Sequence, residues 1–407
     1  MKCRCCQAEL MHSFLDLGFA PPSNAYLTQQ DLSRPERYFP LRVKVCDKCW
    51  LVQTEDYAEA DELFSAEYAY FSSTSTSWLA HAADYADRIT QKLELSRDSL
   101  VVEIACNDGY LLKNFVRAGV PCLGIEPTAS TAAAAEQMDI PVLREFFGAA
   151  VGQTMADNAH QADLVIGNNV FAHVPDINDF TRGLKAVLKP GGTITLEFPH
   201  LARLIDQTQF DTVYHEHFSY LSLYTVGHIF SAAGLRIQDV ELLATHGGSL
   251  RIYGCHTEDE RPTAQAVERI LAEEAGMGMR GLAIYENFQS RANRVKDDFL
   301  SFLLDQKRLG KRVVAYGAAA KGNTLLNYAG VKPDLVQFVC DAAMAKQGKF
   351  LPGSHIPIVS PALLEEQPPD YLLILPWNIA AEVKQQNSRL GEMGVRFVTA
   401  VPRLEIT

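Results

Sequence analysis

Tyr214-His215-Glu216-His217-Phe218-Ser219-Tyr220 packs two histidines, an acid and two tyrosines into seven residues. An imidazole titrates near working pH and can serve as a general base. Glu216 and Tyr214 could orient it or donate to an oxyanion. A second polar run, Asn168-Asn169-Val170-Phe171-Ala172-His173, follows an apolar stretch. If 214–217 is extended, Tyr214 and Glu216 share one side and His215 and His217 the other. Two further readings stay open. His215 and His217 could form half of a metal site, with His173 or His200 as third ligand. The segment could also be a solvated edge, although Phe218, Tyr220 and Leu221 require burial nearby.

A different chemistry is suggested upstream. Glu103-Ile104-Ala105-Cys106-Asn107-Asp108-Gly109 ends an apolar run, where open α/β sheets bind ligands. Gly109 would let the backbone approach a ligand. Glu126, about 20 residues on, can accept from both ribose hydroxyls. The GxGxxG pattern is absent, so the turn suits S-adenosylmethionine better than NAD. An ordinary strand-to-helix turn competes with this reading.

Gly317-Ala318-Ala319-Ala320-Lys321-Gly322-Asn323-Thr324 opens a later helix. Its amides and Lys321 could cradle a phosphate, or Lys321 could lie in solvent. Pro376-Trp377-Asn378 would share that rim, offering a ring and an amide to a nucleobase.

Cys3-x-x-Cys6 and Cys46-x-x-Cys49 supply four thiolates in two pairs, enough for one tetrahedral zinc. A closed four-sulfur shell would be structural. Cys5 could compete with Cys6, and unligated cysteines are the alternative.

The elements that must position these groups follow from periodicity. Residues 1–60 read as loops and short strands. From about 75 to 255, helices (78–95, 110–118, 129–138) alternate with strands (100–105, 122–125, 163–167, 193–197), the pattern of a doubly wound parallel sheet. Residues 263–309 read as helix. Leu282, Tyr285, Phe288, Ala292, Val295, Phe299 and Phe302 form one stripe that should pack on a neighbouring domain. A second α/β pattern starts at Lys311, with strands at 313–316, 336–340, 371–375 and 395–399. The 407 residues suit two or three domains, and 47% hydrophobic with 21% charged residues is an ordinary globular balance. A net charge of −12 without a basic run argues against a nucleic-acid partner. No apolar stretch suggests a membrane span. The first residues do not read as a signal peptide, which suggests the cytoplasm.

In this order the parts resemble the sugar C-methyltransferases of deoxysugar biosynthesis. The motifs are the paired CxxC, EIACNDG, GNNVFAHVPD, YHEHFSYLS and GAAAKGNTLL. The resemblance implies a zinc-binding domain at 1–65 and a class I methyltransferase Rossmann-like domain at 66–260. At 261–407 it implies a second Rossmann-like α/β domain that grips a nucleotide sugar. The implied reaction is S-adenosylmethionine-dependent C-methylation, at C-3, of a dTDP-linked 4-keto deoxysugar, by a monomer. O- or N-methylation, or a non-catalytic sugar-binding role, are the alternatives. By resemblance, His217 is the base, with Tyr214, Glu216, His173, Asn169 and a tyrosine from Tyr68 or Tyr70 around the sugar. The methyl donor falls to Glu103, Ala105, Asn107, Gly109, Glu126, Pro127, Phe147 and Asn168. The remaining substrate contacts fall to His215, Lys321, Asn323, Trp377 and Asn378. Zinc falls to Cys3, Cys6, Cys46 and Cys49.

Overall fold

The computed structural model describes residues 1–57 and 72–407, the Thr74 side chain excepted. Tyr68 and Tyr70 lie outside the described residues. Three sheets organise the rest.

The N-terminal sheet has β1 (His12–Ala20), β2 (Phe39–Val45) and β3 (Val52–Thr54) in antiparallel order. Its fourth strand comes from far along the chain. β9 (Ser219–Tyr220) pairs with β3, Val52 opposite Tyr220 and Gln53 opposite Ser219. The polar segment around His217 is therefore stitched to the cysteine-bearing sheet.

The central sheet starts after α1 (Thr76–Lys92), whose first turn is capped by Ser75 accepting from the Trp78 amide. Strands β4 (Val101–Ile104), β5 (Cys122–Ile125), β6 (Val142–Leu143), β7 (Ala162–Asn168) and β8 (Leu188–Pro199) are parallel. β10 (Leu235–Leu243) and β11 (Ser249–His256) complete the order β10-β11-β8-β7-β4-β5-β6, with β11 antiparallel to β8. The expected all-parallel sheet thus carries an antiparallel edge, because the short turn between β10 and β11 permits only a hairpin. Helices α2 (Leu112–Arg117), α3 (Ala129–Glu136), α4 (Ala149–Asp157) and α5 (Ile177–Val187) supply the crossovers.

The expected long helix over 263–309 is three: α6 (Gln265–Gly276), α7 (Ala283–Glu286) and α8 (Phe288–Arg308). Gly278, at φ +80°, breaks it within a Gly-Met-Gly-Met-Arg-Gly run. The apolar stripe survives the break. Phe14 of β1 stacks on Phe288 at 4.5 Å and meets Tyr285 edge-on at 5.8 Å. Further along, Phe302 meets Tyr371 at 5.2 Å. One apolar core thus joins the N-terminal sheet to the C-terminal unit.

That unit has β12 (Val313–Tyr316), α9 (Ala320–Tyr328), β13 (Val339–Cys340), β14 (Ile358–Val359), β15 (Tyr371–Ile374), β16 (Arg396–Thr399) and β17 (Glu405–Ile406). Its order is β14-β13-β12-β15-β16-β17, parallel except at β17. The strand expected at 336–340 keeps only its last two residues. No described helix is long and apolar enough to cross a membrane.

Helices α4 and α5 pack backbone to backbone. A Cβ at Gly152 would lie 2.5 Å from the Gly183 carbonyl oxygen, and one at Gly183 would lie 2.5 Å from the Gly148 oxygen. Main chain cannot yield as a side chain can. Gly183→Ala is therefore expected to cost about 1–3 kcal/mol, the range of core overpacking, read as a lower urea midpoint at unchanged m-value.

Candidate functional site

Cys3, Cys6, Cys46 and Cys49 converge, their sulfurs all within 4.8 Å of one another. Two tight turns bring them together: the Gln7 amide donates to the Cys3 carbonyl and the Trp50 amide to the Cys46 carbonyl. Two N–H groups point at sulfur. Gln53 Nε2 lies 3.2 Å from Cys3 Sγ, and the Lys48 amide 3.4 Å from Cys46 Sγ. Donors aimed at sulfur stabilise thiolate, the form that binds metal. Cys5 lies outside this set of four.

At the end of β4 the chain turns sharply, with Ala105 at φ +55° and Asn107 at +51°. Two non-glycine residues in the left-handed region store strain, common where a backbone cradles a ligand. Glu126 fixes the turn, accepting from the Asn107 amide at 3.0 Å and the Thr128 amide at 2.9 Å. Pro127 lies between these contacts. Glu103 is buried, and burial, then Asp108 and Glu126, push its carboxyl well up. Asn168, at the end of β7, has no partner for either amide atom among the described residues. Gly109 is tightly packed at φ +74°: a Cβ there would lie 2.5 Å from Ile140 Cδ1, so a side chain at this position would be crowded. The Phe147 ring packs edge-on against Phe180 of α5 at 5.3 Å.

The 214–217 stretch is a turn, not an extended strand. A short 3₁₀ turn at Phe210–Thr212 leads into a tight turn in which the His217 amide donates to the Tyr214 carbonyl. Tyr214 and His217 therefore face each other rather than opposite sides. Tyr214 Oη lies 2.7 Å from His217 Nε2, and His217 Nδ1 lies 2.9 Å from the Thr212 carbonyl oxygen. A carbonyl only accepts, so Nδ1 carries the hydrogen and Nε2 keeps its lone pair. The His173 ring stands edge-on to His217 at 4.6 Å. Burial, then His173, holds the His217 imidazole well below its ordinary pKa. Burial lowers His173 to about 4.

His215 turns away and meets Phe39 at 6.0 Å, with neither ring nitrogen partnered among the described residues. His200 bonds Glu274 at 2.8 Å. Among the described residues the four cysteines are the one cluster with metal-ligand spacing, so the metal reading of His215 and His217, with His173 or His200 as third ligand, lacks its geometry. Glu216 is buried, which raises its carboxyl; Oε1 accepts from Asn24 at 3.1 Å, and Oε2 has no partner among the described residues.

The C-terminal unit reaches the same rim. Half-buried Lys321 donates to Asn378 Oδ1 at 3.2 Å and to the His246 carbonyl at 3.4 Å, and lies 4.9 Å from the Trp377 ring centroid. Desolvation lowers its ammonium to about 8, offset in part by Asp211. Trp377 Nε1 donates to Asp211 at 2.7 Å, so its expected contact with a base is joined by a structural one. Asn323 is buried, with both amide atoms unpartnered among the described residues.

Sequence reasoning missed a second layer. Asn169 (φ +53°) donates to His246 Nε2 at 3.1 Å. Trp78 packs 5.2 Å from His246, 5.0 Å from His81 and 5.9 Å from Tyr110. Beneath them Glu197 and Arg251 are fully buried and 2.6 Å apart. Burial alone would raise Glu197, but His81, Arg251 and Thr245 hold it at about 2. Spacing signalled only part of this: Trp78 and His81 are one helical turn apart, and Glu197 ends an apolar strand.

Residues 3–64 match a zinc binding domain, 75–240 a methyltransferase domain and 244–402 the C-methyltransferase C-terminal domain. The chain is 35% identical over 401 residues to the C-methyltransferase NovU of Streptomyces niveus, covering 98% of this chain and 95% of the relative. A ubiquinone biosynthesis O-methyltransferase of Rhodopseudomonas palustris (strain BisB18) is 27% identical over 32% of this chain and 60% of its own length. Magnesium protoporphyrin IX methyltransferase from Synechocystis PCC 6803, solved with bound S-adenosylmethionine, aligns over 44% of this chain and 80% of that one, at 14% identity and a TM-score of 0.33.

The four cysteines, with donors on two of their sulfurs, fit zinc. Cys49→Ser is expected to lower bound zinc from about one per chain to near zero, since a tetrahedral thiolate shell needs all four ligands. Elemental analysis after gel filtration checks it; full zinc retention would contradict the assignment.

Proposed function

We propose that this chain, which belongs to the C-methyltransferase family that includes NovU and depends on S-adenosylmethionine, methylates a carbon beside the ketone of a nucleotide-linked 4-keto sugar. The carrying observation is the hydrogen-bonded set Tyr214–His217–Thr212 beside His173. Methyl transfer to carbon needs a carbanion equivalent, and a neighbouring ketone makes that proton removable.

His217 is the base in this reading. Its Nε2 lone pair takes the proton, the C–H electron pair moves into a carbon–carbon double bond, and negative charge collects on the ketone oxygen. The Thr212 carbonyl holds the Nδ1 hydrogen and supports the imidazolium that forms. Tyr214, already donating to Nε2, turns its hydroxyl to the oxyanion; His173 is the other candidate donor. Bound S-adenosylmethionine supplies the electrophilic methyl. Glu126 holds its ribose, with the 103–109 turn and Asn168 beside it. Asn169 and Glu216 bind sugar hydroxyls, and Lys321, Asn378, Trp377, Asn323 and His215 take the nucleotide end. The reading favours C-3 as the methylated carbon and dTDP as the nucleotide. The zinc is structural.

Turnover of a panel of dTDP- and GDP-linked 4-keto sugars, with mass detection of the added methyl, tests the substrate class. His217→Asn keeps the shape and loses the base. It is expected to lower kcat at least 10²-fold, the range of general-base contributions, with S-adenosylmethionine affinity unchanged by calorimetry. Near-normal turnover in His217→Asn would show that another group is the base. Methyl recovered on oxygen or nitrogen would replace C-methylation in this account.

The pH profile follows from the same groups. His217 must be neutral, and its depressed pKa keeps it so below pH 6.5, so the acid limb of kcat/KM should lie below that value. Lys321 must be charged to hold phosphate, so KM should rise above about pH 8. Lys321→Arg should remove that alkaline rise.

A further inference from the structure

Arg4 stands inside the first cysteine knuckle, between Cys3 and Cys5. It is an arginine in an acidic chain, yet its side chain is only 6% exposed. Its guanidinium is engaged along both edges. Nε donates to Gln53 Oε1 at 3.2 Å, and Nη2 to the Thr54 carbonyl at 3.2 Å and to Asp56 at 2.7 Å. Nη1 donates to the Pro175 carbonyl at 2.9 Å. Its Cζ lies 5.3 Å from the Phe218 ring centroid.

These partners are not scattered. Pro175 lies two residues after His173, and Phe218 directly follows His217. Thr54 continues the contact: its amide donates to the Phe218 carbonyl at 3.1 Å, and its hydroxyl lies 3.4 Å from the His217 carbonyl oxygen. Gln53, which accepts from both the Arg4 amide and Nε, donates to Cys3 Sγ. Asn178 closes the other side, donating to the Arg4 and Cys5 carbonyls at 3.2 and 2.8 Å.

We infer that Arg4 is a positioning residue, by which the cysteine knuckle sets the spacing and orientation of the His173 and His217 rings. The two imidazoles belong to segments far apart in sequence, and one rigid planar fork contacts the flank of each. A guanidinium does this because its N–H groups are fixed in a plane; an ammonium on a flexible stem cannot hold the same set of acceptors. The knuckle fixes where that fork stands. The N-terminal domain on this view shapes the reaction centre, in addition to closing the core. The inference rests on the reading of His217 as base.

The test compares zinc-loaded wild type, Arg4→Lys and Arg4→Met on the nucleotide-linked 4-keto sugar that the wild type methylates. Five quantities are measured: zinc per chain, S-adenosylmethionine stoichiometry and affinity by calorimetry, and kcat and KM per donor-binding chain. The expectation for Arg4→Lys is about one zinc, unchanged donor affinity, KM for the sugar within about 3-fold and kcat lowered at least 10-fold. For Arg4→Met, kcat falls as far or further. Unchanged kcat in Arg4→Lys with zinc bound would overturn the inference. So would loss of zinc or donor binding in proportion to activity, because Arg4 would then serve folding alone. His217→Asn run in parallel separates the two claims. If it retains activity, the base assignment fails; if it is inactive while Arg4→Lys is normal, only the positioning role fails.

Discussion

The hydrogen bond from His217 Nδ1 to the Thr212 carbonyl is the contact on which the site depends. It fixes one tautomer and aims the Nε2 lone pair at Tyr214 and the pocket. Yet the segment that makes it, 210–220, has little regular structure of its own: one short 3₁₀ turn and a two-residue strand. Such a stretch cannot hold a buried imidazole by itself. It is held from three sides: by β3 through Thr54, by Asn24 on Glu216, and by Thr324 of α9, whose hydroxyl donates to the Val213 carbonyl at 2.9 Å. One of these braces belongs to the C-terminal unit and two to the N-terminal part. The three-part architecture and the single reaction centre are thus one fact seen at two scales.

Electrostatics reinforce this arrangement. The site gathers imidazoles at His173, His217 and His246 and excludes enough water to keep them neutral. A neutral imidazole is what a general base requires. Charge that cannot be avoided is paired out of the way, as with Glu197 and Arg251 under the sheet edge. Breaking a buried pair of this kind typically costs about 3–5 kcal/mol. Because Thr245 also donates to Glu197 at 2.8 Å, the same pair anchors the turn that presents His246 to Asn169 and its carbonyl to Lys321.

Much of this was legible in the sequence, for identifiable reasons. The cysteine spacing located the four-sulfur cluster because a tight knuckle leaves its sulfurs little choice. Alternation of apolar runs located β4, β5, β7 and β12 because buried parallel strands are nearly continuous in hydrophobicity. The stripe from Leu282 to Phe302 foretold a face between units. What failed was local geometry governed by distant partners. Period-two alternation separates Tyr214 from His217 only in an extended chain, while a tight turn makes them face each other. The pairing of β9 with β3 has no local signal, nor does the descent of Trp78 and His81 onto the sheet edge. Arg4 was invisible for the same reason: its acceptors lie about 50 and 170 residues away.

The most direct test of this account is proton exchange at the ring carbon beside the ketone, followed by NMR in D₂O with the sugar nucleotide and no methyl donor. The account predicts that the wild-type chain exchanges that proton for deuterium and that His217→Asn does not. Absence of exchange in the wild type with bound sugar, or equal exchange in His217→Asn, would contradict an enolate formed by this histidine.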